Sequence, residues 1–302
     1  MLRIPCGRII SPEQSYLGGI MDTKIVLIYC ICSDFLREES SSQKGNQRMS
    51  SCEVLTFAIV SGLFFYGNHE RTRLFLYDYN YIPNILSKSQ LNRRLHAFEE
   101  EFWKRLLYKL SRSLYHYEKT HEYAIDSFPV KACENSRITR AKILQGKEFH
   151  GYTASKQSYF FGAKVHMIVN LTKGIPVEVV FTPGSENDLK AFRRFCLDIP
   201  KGSIIYGDRA YNDYQFEDFL RDHQEIQLIV QRRTNSKRPL AKEVCYIQSR
   251  MRKRIETVFS QITQLFPKNI HAVTSKGFYL KIFNFILAYL FTLIFKEKLS
   301  LV

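Results

Sequence analysis

The 302-residue sequence is poor in several residue types that mark particular classes of protein. It has only 14 glycines and 9 prolines, too few for a collagen-like or low-complexity chain. Its seven cysteines are odd in number and form no C-x-x-C pair, so neither a disulfide framework nor a zinc site is predicted. Free, mostly buried thiols of this kind are typical of a reducing cytoplasm, where we expect the protein to act.

Long apolar segments are also scarce. Residues 25–32 (IVLIYCIC) are followed by Asp34 instead of a small-residue cleavage site, which argues against a signal peptide. Residues 282–295 (IFNFILAYLFTLIF) include Asn284 and fall short of the ~20 residues that cross a bilayer. This segment predicts a buried helix in the terminal region 271–302, packed on the preceding domain, and no membrane partner is expected.

Positive charge and apolar side chains are what the sequence has in abundance. Its 44 Lys and Arg against 29 Asp and Glu give a net charge of +15, and the pI is near 9.4. A hydrophobic share of 45% is enough to bury a core and argues against a disordered chain. A length of 302 residues suggests about two domains. Excess positive charge favours polyanionic partners, and nucleic acid is the best candidate once a membrane is set aside.

Residues 21–120 predict a small all-helical domain. Residues 1–20 show no helical or strand period, so we expect a non-native or disordered extension there, with Met21 as the natural start. The sequence Ser50-Ser51-Cys52-Glu53 is a capping box that predicts a helix start, and further helices are expected over 70–77 and 89–116. Arg93 and Arg94 are candidates for helix-turn-helix contacts to DNA, although a solvated basic face is the alternative.

Residues 121–270 change to strand-like patterns and then alternate. The order β-β-β-α-β-α-β-α predicts an α/β fold with a mixed sheet and helices on both faces. The expected elements are strands at 123–128 (ended by Pro129), 159–169 and 175–181, a helix at 187–197, a strand at 203–206, a helix at 214–221, a strand at 226–230 and a helix at 242–265.

Three acids of this region are candidates for shared chemistry. Asp126 lies inside an apolar strand, Asp208 follows the end of another strand, and Glu256 lies on the long helix. Carboxylates gathered together need cations, and oxygen-only ligation suits Mg²⁺ or Mn²⁺. Two such ions can activate water and stabilise the leaving oxygen of a phosphodiester. The alternatives are a turn in which Asp208 pairs with Arg209, and a helical pair between Glu256 and Arg252.

Basic and aromatic residues near these acids are candidates for DNA contacts. Lys164 and His166 share one side of a strand and are expected to face phosphate, although a core histidine is the alternative. The adjacent aromatics at 159–161 either stack on bases or pack in the core. Between residues 231 and 254 there are nine basic residues and a single acid, Glu243. The nine are Arg232, Arg233, Lys237, Arg238, Lys242, Arg250, Arg252, Lys253 and Arg254.

Five blocks of the sequence, in order, resemble the bacterial insertion-sequence transposases of the nine-eight-two family. They are IDSFPV at 125–130, GYTASKQSYFFGAKVH at 151–166, IPVEVVFTPGSENDLKAF at 175–192, IYGDRAYNDYQFED at 205–218 and RKRIETVFSQITQLFPKNIHAVTSKGF at 252–278. The resemblance implies an RNase H-like catalytic domain of the DDE class behind a helical region. It implies that Asp126, Asp208 and Glu256 bind two Mg²⁺ ions, which Mn²⁺ can replace.

The resemblance also implies the reaction and its partners. The element's terminal inverted repeats are hydrolysed and the freed 3′-hydroxyl attacks target DNA. The implied partners are double-stranded DNA and further copies of the chain, at the nucleoid of a bacterial cytoplasm. Ser249 and Thr263 stand where related transposases often have a tyrosine and a lysine, while Arg252 matches the pattern's arginine. Two alternatives stay open, a catalytically inactive DNA-binding descendant and an RNase H-like nuclease that only hydrolyses.

Overall fold

The computed structural model describes residues 12–39, 48–115, 121–153 and 157–299. The first helix, α1, is Pro12–Glu38, so it begins nine residues before Met21 and runs through it. The expected extension over residues 1–11 and the predicted boundary at residue 120 lie outside the described residues.

Four further helices complete the N-terminal region: α2 (Ser51–Phe64), α3 (His69–Asp78), α4 (Lys88–Ala97) and α5 (Glu100–Tyr115). The predicted capping box is confirmed, since Glu53 N donates to Ser50 Oγ (3.1 Å) and Ser50 N donates to Glu53 Oε2 (2.6 Å). The single helix predicted over 89–116 is wrong. The backbone is extended at Phe98, whose ring stacks on Phe102 at a centroid distance of 4.5 Å, so aromatic packing divides the segment into α4 and α5.

A six-stranded mixed sheet follows. Its strands are β1 (Glu122–Cys133), β2 (His150–Thr153), β3 (Ser158–Asn170), β4 (Ile175–Pro183), β5 (Ile204–Gly207) and β6 (Gln227–Val230). β3 pairs antiparallel with β1 on one side and with β4 and β2 on the other, while β1, β5 and β6 are parallel neighbours. The main order β4-β3-β1-β5-β6 is RNase H-like and confirms the predicted fold, with β2 as an unpredicted addition.

β1 is longer than the sequence suggested. Pro129 was expected to end it, yet the strand continues to Cys133, with Pro129 opposite Lys164 of β3. The parallel pairing of β1 with β5 stops at Ala124 and Tyr206, so the far half of β1 has no strand on that side. An edge position tolerates the missing N–H of proline.

Helices cover both faces of the sheet, as predicted. On one face, α6 (Asp188–Phe192) and α7 (Tyr214–Gln224) contribute Phe192 and Leu220 to a core with Tyr123 and Ile125 of β1. On the other face, α8 (Lys242–Gln264) contributes Ile255 to a larger core that also contains Ala124 and Phe128 of β1. Alternate residues of β1 therefore point to opposite cores, which is the period of a strand buried on both faces.

The last helix, α9 (Ser275–Leu299), lies at the centre of the larger core. By length and composition α9 is able to span a membrane, but 72% of its most apolar window is buried inside the protein. It packs closely on α2 at Gly62, where an added Cβ would lie 3.1 Å from the Ala288 Cβ. The N-terminal helices and the sheet thus share one continuous apolar core.

Candidate catalytic site

Two neighbouring parallel strands bring Asp126 and Asp208 together. Ala124 of β1 pairs with Tyr206 of β5, which brings the next acids along the two segments, Asp126 and Asp208, near each other, and the charge of Asp208 helps to raise the pKa of Asp126. Asp208 directly follows the end of β5 at Gly207. Both acids therefore lie at the edge where an open α/β sheet presents its functional groups.

Local hydrogen bonds orient each carboxylate. Asp126 Oδ1 accepts a bond from the backbone N–H of Ser127 (2.8 Å). Asp208 Oδ1 accepts one from the N–H of Ala210 (2.8 Å), capping the short 3-10 helix Arg209–Tyr211. Each acid keeps a second oxygen for other partners.

Helix α8 carries the third acid and one cation to the same edge. The guanidinium Nη2 of Arg252 lies 3.7 Å from Asp126 Oδ2 and 3.7 Å from Glu256 Oε1. The helical pair considered as an alternative for Glu256 is therefore present, and the same arginine also reaches the strand acid. The Glu256 side chain is 59% exposed, so it has room to change rotamer.

A buried glutamine that sequence reasoning missed fixes this helix against the sheet. Gln248 lies one turn before Arg252, is 4% exposed, and donates from Nε2 to the carbonyl of Gly207 (2.7 Å). Gly207 is the last residue of β5, so the bond sets the distance between α8 and Asp208. The signal available in the sequence was a polar residue on the buried face of an amphipathic helix.

Negative charge exceeds positive charge at this edge. Burial raises the pKa of Asp126 to about 6; the charges of Asp208 and Glu256 add to the shift, while the Ser127 N–H and Arg252 oppose it. Burial also raises the pKa of Asp208. Buried carboxylates with too few counter-charges are typical of functional sites.

The carboxylate oxygens of Asp126, Asp208 and Glu256 suit a hard divalent cation, although these side chains are not gathered around one point. Among the described residues, no three His, Cys, Asp or Glu side chains are close enough to hold one metal ion. Asp126 and Asp208 are adjacent, oxygen-only donors, and the mobile end of Glu256 is held only by Arg252. The chemistry of the three acids fits such an ion, with the exposed Glu256 side chain as the third oxygen donor.

Asp188, which sequence reasoning also missed, contacts side chains of β1 and β3 next to Asp126. It begins α6, and its Oδ1 accepts from Lys164 Nζ (3.2 Å) and lies 3.3 Å from Ser127 Oγ. Its negative charge contributes to the raised pKa of Asp208. An acid in the first turn of a short helix is ordinary, so the sequence held no sign of this role.

The predicted phosphate-facing roles of Lys164 and His166 are wrong. His166 is fully buried, with Nε2 2.9 Å from Thr182 Oγ1, and burial lowers its pKa to about 4. Lys164 donates to the Glu186 carbonyl (2.9 Å) and to Asp188. These bonds hold β3, β4 and α6 together, and for His166 this is the core-histidine alternative.

The predicted DNA contact of Arg232 is also wrong. Its side chain is 7% exposed and binds Glu217 through two bonds of 2.6 Å, with Asn212 as a further acceptor. Arg238 is more open, but it pairs with Asp218 at 2.8 Å. The guanidinium of Arg232 is therefore structural, because both of its terminal nitrogens are bonded to Glu217.

The remaining predicted contacts divide between exposed and anchored cations. Arg94 donates to the Met49 carbonyl (3.0 Å) and Arg254 donates to the Thr172 carbonyl (3.2 Å). Four further candidates are exposed, as a phosphate contact requires, and within the described residues their side chains form no hydrogen bond or ion pair: Arg93, Arg233, Lys237 and Lys253.

Comparison with known families decides what this arrangement belongs to. The family model of the transposase DDE domain matches residues 90–291, more than half of the chain. The chain belongs to this family. The matched region of the DDE transposase includes the whole sheet and all three acids, Asp126, Asp208 and Glu256.

Comparisons with solved structures and with curated proteins add little to this family assignment. A piggyBac transposase, solved as a synaptic complex with hairpin DNA, aligns with 98% of this chain and 77% of its own. The two chains are 10% identical, with a TM-score of 0.49. A comparison with curated proteins finds no match. The family assignment of this DDE transposase therefore rests on the match over residues 90–291.

Proposed function

We propose that this DDE transposase cuts DNA at the ends of its own mobile element and joins the freed 3′-ends to target DNA. The observation that carries the proposal is that Asp126 of β1 and Asp208, which directly follows β5, come near each other, with Arg252 and Glu256 of α8 beside Asp126. Charge supports the same substrate, because a protein of net charge +15 attracts a phosphate backbone.

Asp126, Asp208 and Glu256 would hold two Mg²⁺ ions, or Mn²⁺ in their place. Bound there, the ions would activate the attacking oxygen and stabilise the leaving oxygen of the phosphodiester. The protein's own contribution is to keep two carboxylates desolvated and adjacent, and to keep a third on a side chain that can turn. Arg252 neutralises part of the carboxylate charge until the cations arrive.

The finer identity is also a proposal. The five sequence blocks support membership of the bacterial nine-eight-two insertion-sequence group, with terminal inverted repeats as the substrate. Arg93, Arg233, Lys237 and Lys253 are the exposed cations proposed to contact that DNA. An assembly of at least two copies, acting on two element ends at the nucleoid, follows from the same assignment.

The direct test is Mg²⁺-dependent cleavage of DNA that carries the element's ends. These ends are recognisable in genomic sequence as inverted repeats bracketed by short direct duplications. Asp126→Asn should abolish cleavage and leave binding to the repeats intact, because only the cation-holding oxygen is lost. Glu243→Gln, an exposed acid on the same helix as Glu256, is the matched control and should cleave normally.

Three outcomes would redirect the proposal. Cleavage that survives Asp126→Asn would show that these acids are not the catalytic set. Cleavage without joined products in a plasmid strand-transfer assay would identify a nuclease that only hydrolyses. A wild-type protein that binds the repeats and never cuts them would identify a DNA-binding descendant.

A further inference from the structure

A projection made of parts of three strands extends from the sheet beyond the edge that carries Asp126 and Asp208. It consists of the far half of β1 (129–133), the 3-10 helix Asn135–Arg140, β2, and residues 158–163 of β3; we call it the arm. Met167 of β3 lies opposite Asp126, and Tyr159 is eight positions further along the strand. At ~3.3 Å per residue, the end of the arm is about 26 Å from the catalytic strand position.

The arm ends in an exposed pair of aromatic rings. Tyr152 and Tyr159 are directly opposite each other on β2 and β3, with ring centroids 4.9 Å apart. They are 49% and 71% exposed, whereas the neighbouring Phe160 and Phe161 are each 3% exposed. The two interpretations offered for this aromatic run thus apply to different residues: the phenylalanines are core, and the tyrosines are open for contact.

One face of the arm forms a short aromatic row. Two positions along, on the same face, His150 pairs with Phe161 at a ring-centroid distance of 5.1 Å, and His150 is exposed. Flat, solvent-accessible rings are expensive to leave open unless something packs on them, and nucleic-acid bases are among the flat partners that stack on tyrosine.

The arm is also strongly basic. It and the loop that joins its parts carry five exposed cations against the two acids Glu134 and Glu148. In the described part of the chain, none of the five forms an ion pair with a carboxylate, unlike Arg232 and Arg238. The five are Lys131, Arg137, Arg140, Lys142 and Lys147.

We propose that the arm binds an unpaired stretch of a DNA strand, whose bases stack on Tyr152 and Tyr159 while Arg137 and Arg140 contact its phosphates. That this ligand is DNA rests on the proposed function. Stacking is tolerant of sequence because every base presents a π-face. At ~3.4 Å per nucleotide, the distance along the arm corresponds to about eight nucleotides between the stacked bases and the cleaved bond.

The charge distinguishes this occupant from a protein partner. A protein surface would have to supply carboxylates for five cations or bury them unpaired, and the latter is costly. A nucleic-acid strand supplies phosphates and stacking surfaces together.

The test compares two DNA probes, a short blunt duplex and the same duplex with a single-stranded tail, in fluorescence anisotropy without divalent cations. The double variant Tyr152→Ala, Tyr159→Ala should bind the tailed duplex roughly tenfold more weakly and the blunt duplex unchanged. The Tyr152→Phe, Tyr159→Phe variant keeps both rings and should bind like the wild type. Tyr77→Ala with Tyr79→Ala, at two exposed tyrosines far from the arm in sequence, is the matched control.

Salt dependence separates stacking from charge. Arg137→Gln with Arg140→Gln removes two phosphate contacts, so the slope of log affinity against log salt for the tail should become shallower by about 1.4. The tyrosine variants should weaken binding without changing that slope. Equal weakening on both probes, no weakening, or an unchanged slope in the arginine variant would overturn the proposal.

The binding result is independent of cleavage. If the wild type never cuts DNA, the proposed function fails while a tail-specific loss in the tyrosine variant still supports the arm. If cleavage is normal and the tail-specific loss is absent, the arm proposal alone fails.

Discussion

Two regions of the molecule bury carboxylates beside arginine, and they do so in opposite ways. At α7, Glu217 and Arg232 face each other through two bonds of 2.6 Å, with side chains 8% and 7% exposed. At the sheet edge that carries Asp126 and Asp208, Arg252 lies 3.7 Å from a carboxylate oxygen of Asp126 and 3.7 Å from one of Glu256. Asp208 is a third acid nearby. The first region is neutral and closed, whereas the second carries surplus negative charge.

The difference teaches which buried charges are structural. Paired ions inside a protein roughly offset their desolvation, and removal of one partner is what destabilises. A surplus of carboxylates gives no such compensation, and the raised pKa of Asp126 records the cost. A fold keeps an unfavourable arrangement of this kind where another ligand is to supply the missing charge. Four measurements test this contrast.

The largest expected effect is in the neutral region. Glu217→Gln leaves the Arg232 guanidinium buried without its counter-charge, which should lower the free energy of unfolding by about 3–5 kcal/mol. Urea denaturation followed by circular dichroism measures it. A loss below about 1 kcal/mol would mean that water or another group compensates Arg232, and the contrast would fail on that side.

The opposite sign is expected at Asp126, where removal of the charge should raise the free energy of unfolding. The folded-state pKa of Asp126, about 6, is above the ordinary 3.8, so the folded protein binds more protons than the unfolded chain between these values. Stability therefore falls as pH rises through this window, and Asp126→Asn should remove the loss. Without metal at pH 8 the variant should be about 2–3 kcal/mol more stable than the wild type.

The comparison variant sharpens that result. As pH falls well below 3.8, the wild type and Asp126→Asn should converge, because the carboxyl is then protonated in both states. A variant that is less stable than the wild type at pH 8 would show that the Asp126 charge is already compensated.

A divalent cation bound at these acids should offset part of the destabilisation caused by the buried Asp126 charge. Mg²⁺ or Mn²⁺ at ten times its dissociation constant should stabilise the wild type by about 1.4 kcal/mol. Asp126→Asn should lose most of this stabilisation by the ion. Glu217→Gln should show the full stabilisation, although its free energy of unfolding without metal is lower. Thermal unfolding with and without EDTA measures the difference, and equal stabilisation of all three proteins would place the ion elsewhere.

The smallest effect is expected at an exposed pair. Lys201 and Glu225 are 2.5 Å apart, but their side chains are 75% and 59% exposed. Lys201→Met should therefore change the free energy of unfolding by less than about 0.5 kcal/mol. A larger change would mean that distance alone, without burial, decides the value of an ion pair in this protein.

Much of the fold was readable from the sequence because its signals are local. Alternation marked the strands, the capping box marked the start of α2, and the apolar run marked α9. The missed features depend on contacts between distant segments. Phe98 breaks a helix because its ring packs on the next one, and Pro129 fits within β1 because β5 has already ended.

The candidate site divides in the same way. Asp126 stood out as a charge in an apolar strand, and Asp208 as the acid just after one. Arg232 and Arg252, by contrast, lie in the same basic segment and look alike in sequence, yet one closes a neutral pair and the other faces surplus carboxylates. Asp188 had no distinguishing neighbours in sequence, and the one signal for Gln248 was its place on the buried face of α8.

The sequence by itself therefore determined the order of the elements, the three acids and the positive charge, because periodicity and composition act over neighbouring residues. Only the tertiary structure decided which cations are already paired, that Asp126 and Glu256 share one arginine, and that the arm projects two open tyrosines. Burial and counter-charge arise from segments far apart in the chain, and no local pattern contains them.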